Sequence, residues 1–163
     1  MNKKMLDVLV VEDDTVDYKA VERALARYDD PAFSLHRAET LAKGQSMLDE
    51  HDYDAVILDL GLPDVDGMDS LVHFHANAPA TPIVVLTGQG DSRTASAAMG
   101  FGAEDFLLKS ELYPERLEEK LRLAMGRHQA KLDLLQDEGA VERTVFQLER
   151  RRRRRPEGPG QRE

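Results

Sequence analysis

The chain has 163 residues, of which 41% are apolar and 33% are charged, and its formal net charge is −9. This length accommodates one domain with a buried core and an additional segment. The absence of cysteine excludes a disulfide framework and a thiolate metal site. No apolar run reaches the roughly 20 residues that cross a bilayer. The N-terminal apolar run meets acidic residues at once, which is typical of a strand and not of a signal peptide. We therefore expect a cytoplasmic protein without a membrane span.

The charge is unevenly distributed along the chain. Residues 1–112 contain 21 acidic residues against 9 Lys or Arg, a net charge of −12. Residues 113–163 contain 10 acidic residues against 13 Lys or Arg, a net charge of +3. The acidic first part argues against nucleic-acid binding by the main domain, so the basic tail has to be considered separately.

Five short apolar runs predict five strands, at residues 6–11, 33–37, 55–60, 82–87 and 105–108. The first, third and fourth are nearly continuous Val, Ile and Leu, which is typical of strands buried on both faces of a parallel sheet. The second alternates apolar and polar residues, which favours an edge strand.

The segments between the runs have helical patterns. Three of them begin with a residue that can cap a helix: Asp14, Thr40 and Asp91. The third helix is predicted over residues 68–76, with Val72 on its apolar face. Strands alternating with helices predict an α/β fold, (βα)5, with a doubly wound, parallel five-stranded sheet. We expect the flavodoxin-like strand order 2-1-3-4-5, followed by a C-terminal helical extension.

Polar residues stand at the carboxyl ends of the predicted strands. In a doubly wound parallel sheet these strand ends meet at one edge, where such folds bind ligands. They are Glu12, Asp13, Asp59, Thr87, Gly88 and Lys109. Neighbouring carboxylates repel one another unless a cation neutralises them, and Mg²⁺ prefers oxygen ligands. A carboxylate can also attack phosphorus and form an aspartyl phosphate. Phosphoryl oxygens could be contacted by Lys109, the Thr87 hydroxyl and the Gly88 amide. The sequence contains no P-loop motif that would bind a nucleotide.

Four segments together resemble the receiver domain of two-component response regulators, over about residues 5–125. They are the acidic pair Glu12-Asp13 after an apolar strand, Asp59 in VILDLGLPDVDG, Thr87-Gly88 in PIVVLTG and Lys109 in GAEDFLLK. The resemblance implies that a sensor histidine kinase or a histidine phosphotransfer protein phosphorylates Asp59. One departure is Ser110, which stands where many receivers have proline.

The resemblance also implies roles for the surrounding residues. Asp13 would bind Mg²⁺ directly, Glu12 directly or through water, and the backbone carbonyl of Gly61 would complete the protein ligands together with Asp59. Lys109 would pair with the phosphoryl group, and Thr87 would move towards it. Phe106 would respond by changing its rotamer, although a core aromatic residue explains that position equally well.

The C-terminal part is predicted as a helical extension over residues 126–149, after a receiver over residues 1–125. An apolar stripe that includes Leu121, Leu132 and Leu135 leaves open a coiled coil with a second copy or with a partner. We expect Gly139 to break the helix and His128 to lie at the surface. Six arginines, from Arg150 to Arg155, open a tail over residues 150–163 that should be disordered.

The sequence thus predicts a phosphoacceptor that acts through protein contacts or in a phosphorelay and has no enzymatic output domain. The main alternative is a receiver that gates nucleic-acid binding by the arginine tail. A stand-alone phosphatase is a weaker alternative, because the sequence offers no second catalytic acid beside Asp59.

Overall fold

The fold is built on one parallel five-stranded sheet. The computed structural model of the chain describes residues 4–88 and 92–153. In chain order the strands are β1 (Met5–Val11), β2 (Ala32–Ala38), β3 (Ala55–Leu58), β4 (Ile83–Thr87) and β5 (Asp105–Leu108). Their order in the sheet is β2-β1-β3-β4-β5, and every neighbouring pair is parallel. The flavodoxin-like fold expected from the sequence is therefore confirmed.

Helices connect the strands. They are α1 (Thr15–Leu25), α2 (Leu41–Glu50), α3 (Gly67–Asn77), α4 (Ser92–Gly100) and α5 (Pro114–Arg153), and a 3₁₀ turn covers Lys109–Glu111. No helix within the described residues is long and apolar enough to cross a membrane.

Side-chain caps fix where two helices begin. The Asp14 carboxylate accepts a hydrogen bond from the Asp17 amide at 3.0 Å, and the Thr40 hydroxyl accepts one from the Lys43 amide at 3.1 Å. Both caps agree with the sequence prediction, and each typically contributes about 1 kcal/mol. The third predicted cap, Asp91, lies outside the described residues.

The sheet separates two apolar cores, which explains the continuous apolar strands. On β1, Leu9 and Val11 belong to one core, and Val8 and Val10 belong to the other. Successive side chains of a strand point to opposite faces, so a strand covered on both faces has no polar positions. At the sheet edge, β2 is only partly buried along most of its length, as its alternating pattern predicts.

The packing of α3 differs from the sequence interpretation. Val72, predicted on the apolar face, is 42% exposed, whereas Phe74 is fully buried. Phe74 fits because α2 carries Gly44, where a Cβ atom would lie 2.6 Å from Phe74 Cζ. The glycine is therefore a packing residue of α2, which a reading of helical periodicity alone does not detect.

The chain divides into two compact units, Met1–His128 and Gln129–Glu163. Within the described residues, the second unit consists of the later part of α5. The expected break at Gly139 is wrong, because this residue is helical. The helix ends at Arg153, so the prediction of disorder from residue 150 is wrong for the first four arginines. The rest of that tail lies outside the described residues.

A buried polar pair joins α5 to the start of β5 within the first unit. His128 is buried, not at the surface as predicted, and its Nδ1 lies 2.9 Å from Oε1 of the buried Glu104. Arg127 reinforces the same place, because its guanidinium donates to the Glu104 carbonyl at 3.0 Å and to the Asp105 carboxylate at 3.0 Å.

We expect His128→Leu to lower the free energy of unfolding by about 3 kcal/mol, because it removes the buried contact between His128 and the Glu104 carboxylate. Arg122→Leu is the matched control, since it breaks the exposed pair with Glu118 on the same helix and should cost about 0.5 kcal/mol or less. Urea unfolding measures both values. Equal losses in the two variants would contradict the buried-pair interpretation.

Candidate functional site

The carboxyl ends of four strands bring the predicted polar residues together. Glu12 follows β1, Asp59 follows β3, Thr87 ends β4 and Lys109 follows β5. The parallel pairing of these strands places their carboxyl ends at one edge of the sheet. The placement of these four residues therefore follows from the topology, because each of them stands at a strand end.

Three acids form a compact cluster. Glu12, Asp13 and Asp59 each offer a carboxylate oxygen, and these oxygens lie within 4.8 Å of one another. Glu12 and Asp59 are 2% and 5% exposed, whereas Asp13 is exposed. Two buried carboxylates and one open to solvent are donors that suit a hard divalent cation which keeps some of its water. The donor set therefore fits Mg²⁺.

The Lys109 ammonium is shared among three carboxylates. Its Nζ lies 3.0 Å from Glu12 Oε2, 2.7 Å from Asp17 Oδ2 and 3.2 Å from Asp59 Oδ2. Asp17 was not predicted as a site residue. Its position in the first turn of α1, directly after the acidic end of β1, is the sequence signal that could have identified it.

Charge and burial shift the pKa values of this group. Burial, followed by repulsion from Asp59, raises the pKa of Glu12 to about 7, although Lys109 partly opposes the shift. For Lys109, burial alone would lower the pKa. Hydrogen bonds to Asp17 and Glu12 and the negative charge of Asp59 outweigh burial and raise it. One ammonium thus offsets several carboxylates incompletely, and the remaining negative charge favours a bound cation.

Arg37 holds the backbone of the acidic loop. Its Nε donates to the Glu12 carbonyl at 3.1 Å, and its Nη2 donates to the Asp13 carbonyl at 3.0 Å. The guanidinium lies 4.9 Å from the centre of the Tyr18 ring. This arrangement fixes the β1–α1 loop from the neighbouring strand β2. The sequence does not predict this arrangement, because contacts to backbone carbonyls leave no pattern in it.

The remaining predicted residues surround Asp59 and Lys109. The Gly61 amide donates to Asp59 Oδ1 at 3.0 Å. Thr87 is buried at the end of β4, and a Cβ atom on Gly88 would lie 3.8 Å from Lys109 Cδ. Phe106 is partly buried and packs against the core that contains Leu71. Asp59 therefore belongs to an acidic cluster that could hold a cation and has an ammonium within hydrogen-bonding distance, an arrangement suited to holding a phosphoryl group.

Comparison with known proteins agrees with this geometry. The family model described as the response regulator receiver domain matches residues 8–122. The KDP operon transcriptional regulatory protein KdpE of Escherichia coli is 34% identical over 126 residues, 77% of this chain and 54% of KdpE. The swarming motility regulation protein RssB of Serratia marcescens is 34% identical over 110 residues, 68% of this chain and 49% of RssB. The chain thus spans about half the length of these curated relatives.

A solved structure with a similar fold is the CheY-like receiver domain protein of Methanospirillum hungatei. The TM-score is 0.65 at 21% sequence identity, and the match covers 80% of this chain and 99% of the solved one. At that identity the likeness supports the fold alone.

The raised pKa of Glu12 predicts how the stability of the metal-free protein depends on pH. The folded state favours the neutral carboxyl, whose ordinary pKa is 4.5. The stability that the neutral Glu12 carboxyl contributes is therefore fully present below about pH 4.5 and is lost as the pH rises through about 7. Relative to Glu12→Gln, the wild type should lose about 2 kcal/mol of unfolding free energy between about pH 5.5 and pH 8.

Urea unfolding in the presence of a chelator measures this difference. Glu119→Gln removes an exposed carboxyl of α5 and serves as the control, which should follow the wild type across the pH range. A constant difference between wild type and Glu12→Gln would contradict the raised pKa.

Proposed function

The chain belongs to the response regulator receiver family, and on that premise we propose that Asp59 accepts a phosphoryl group in two-component signalling. The donor is the phosphohistidine of a sensor histidine kinase or of a histidine phosphotransfer protein. The observation that carries the proposal is the setting of Asp59: a buried carboxylate in an acidic cluster, 3.2 Å from the Lys109 ammonium.

The transfer is one displacement at phosphorus. An oxygen of the Asp59 carboxylate supplies the electron pair for the new P–O bond, and the P–N bond to the donor imidazole breaks. The imidazole nitrogen keeps that bonding pair and takes up a proton. Lys109 donates hydrogen bonds to the transferring group, whose negative charge it offsets.

Glu12, Asp13, Asp59 and the Gly61 carbonyl would hold the Mg²⁺ ion. When bound, the ion neutralises charge on the phosphoryl oxygens. The incomplete neutralisation of Glu12, seen in its raised pKa, supports a cation at this place. The protein residues position the acceptor carboxylate and exclude water from its buried side.

Thr87, Gly88 and Phe106 connect the acceptor to the protein surface in this proposal. The Thr87 hydroxyl and the Gly88 amide hydrogen-bond to the phosphoryl group, and Phe106 adjusts its packing in response. Output then occurs through contacts with another protein or through a phosphorelay, and we expect no enzymatic activity beyond gain and loss of the phosphoryl group. Self-association through α5 stays a prediction.

Intact-mass measurement after incubation with Mg²⁺ and acetyl phosphate tests the proposal. The wild type should gain one phosphoryl group and Asp59→Asn should gain none, because the amide cannot form the acyl phosphate. Asp52→Asn is the matched control, since Asp52 is an exposed acid in the α2–β3 loop, before β3, whereas Asp59 follows it. It should be phosphorylated like the wild type. Failure of the wild type to gain mass from acetyl phosphate and from phosphorylated kinases would overturn the proposal.

The alternative function is a receiver that gates nucleic-acid binding by the arginines from Arg150 to Arg155. The observation that favours it is that α5 continues to Arg153, so part of the run extends a regular helix. KdpE is named a transcriptional regulatory protein, but the acidic composition of residues 1–112 opposes binding by the receiver itself.

This alternative predicts binding to duplex DNA or to RNA that weakens steeply as salt rises, because each neutralised phosphate releases counterions. Deletion of residues 150–163 should abolish the binding in a fluorescence anisotropy titration. Binding that survives the deletion, or that does not change with salt, would eliminate the arginine tail as the binding element.

A further inference from the structure

Three acids contact Lys109 in the part of the chain that the structure describes, and Asp17 is the one that the proposed phosphorylation chemistry does not use. It lies in the first turn of α1, and its carboxylate accepts a hydrogen bond from Lys109 Nζ at 2.7 Å. The contacts of the same ammonium with Glu12 and Asp59 are longer, at 3.0 and 3.2 Å. The shortest of the three contacts is therefore made by a residue outside the acidic cluster.

The three partners of Lys109 differ in their surroundings. The side chains of Glu12 and Asp59 are 3% and 6% exposed, whereas that of Asp17 is 37% exposed. Asp17 thus holds the ammonium from the open side of the site. It lies in the first turn of α1, where the helix dipole favours acidic side chains.

Phosphorylation changes the partners of Lys109 unequally. A cation held by the acidic cluster would compete for the oxygens of Glu12 and Asp59, and the new P–O bond of the proposed transfer would take up an oxygen of Asp59. Asp17 is not among the three acids that form the cluster. It is therefore the partner that keeps its contact with Lys109 while the other two carboxylates take up new ligands.

We propose that Asp17 is a positioning residue that holds the Lys109 ammonium towards Asp59 and thereby sets the rate at which Asp59 is phosphorylated. The inference rests on the proposed function and names a further residue of the same site. The competing explanation is that Asp17 only stabilises the N-terminus of α1. That role would affect the stability of the fold and leave the phosphorylation rate unchanged.

The rate constant of phosphorylation at saturating acetyl phosphate separates these explanations. Asp17→Ala should lower it about tenfold, the order of loss expected when a group that contacts the reacting atoms is no longer held in position. Asp17→Asn should lose less, because its amide oxygen still accepts a hydrogen bond from Lys109. The acetyl phosphate concentration at half saturation should change little in both variants, since Asp17 does not contact the donor.

Asp69→Asn is the matched control, because Asp69 is the exposed acid in the first turn of α3. It should keep the wild-type rate, and thermal unfolding of all variants should show that they are folded under the assay conditions. A wild-type rate in Asp17→Ala would overturn this inference and leave the proposed function standing. No phosphorylation of the wild type from any donor would overturn both.

Discussion

The structure of the site depends on one cation, the ammonium of Lys109. Glu12 and Asp59 are almost completely buried, and buried carboxylates are costly unless opposite charge compensates them. Lys109 contacts both of them and Asp17 as well. The parallel sheet makes this compensation possible, because it brings the ends of the first, third and last strands to one edge. Fold and site chemistry are therefore parts of one electrostatic arrangement.

The compensation is incomplete, and this gives the site its capacity to respond. Burial and repulsion from Asp59 raise the pKa of Glu12 although Lys109 is beside it, so the site disfavours the ionised form of this carboxyl. In the proposed function a divalent cation would favour the ionised form of Glu12, and a phosphoryl group on Asp59 would then change the charge balance again. Arg37 holds the backbone of the acidic loop through the Glu12 and Asp13 carbonyls, and the Gly61 amide donates to the Asp59 carboxylate.

The sequence predicts the fold well, because burial on both faces of the sheet leaves continuous apolar strands such as β3 and β4. Strand ends identify Glu12, Asp59, Thr87 and Lys109, since the topology determines where they meet. What the sequence did not predict depends on particular three-dimensional contacts. Asp17 acts through the single ammonium of Lys109, and Arg37 acts through backbone carbonyls. His128 is buried because Glu104 lies opposite it. The helix at Gly139 continues although glycine costs about 1 kcal/mol relative to alanine.

The separation of the site residues along the chain has a consequence for biosynthesis. Glu12 and Lys109 are 97 positions apart, so on the ribosome the acidic residues emerge long before the ammonium that compensates them. Until the last strand is made, the nascent chain carries acids that resist burial, and the edge of β4 lacks its partner β5. An incomplete chain of this kind is prone to aggregation. The final strand therefore completes the sheet and neutralises the acids in the same step, which favours closure of the domain only after its synthesis is finished.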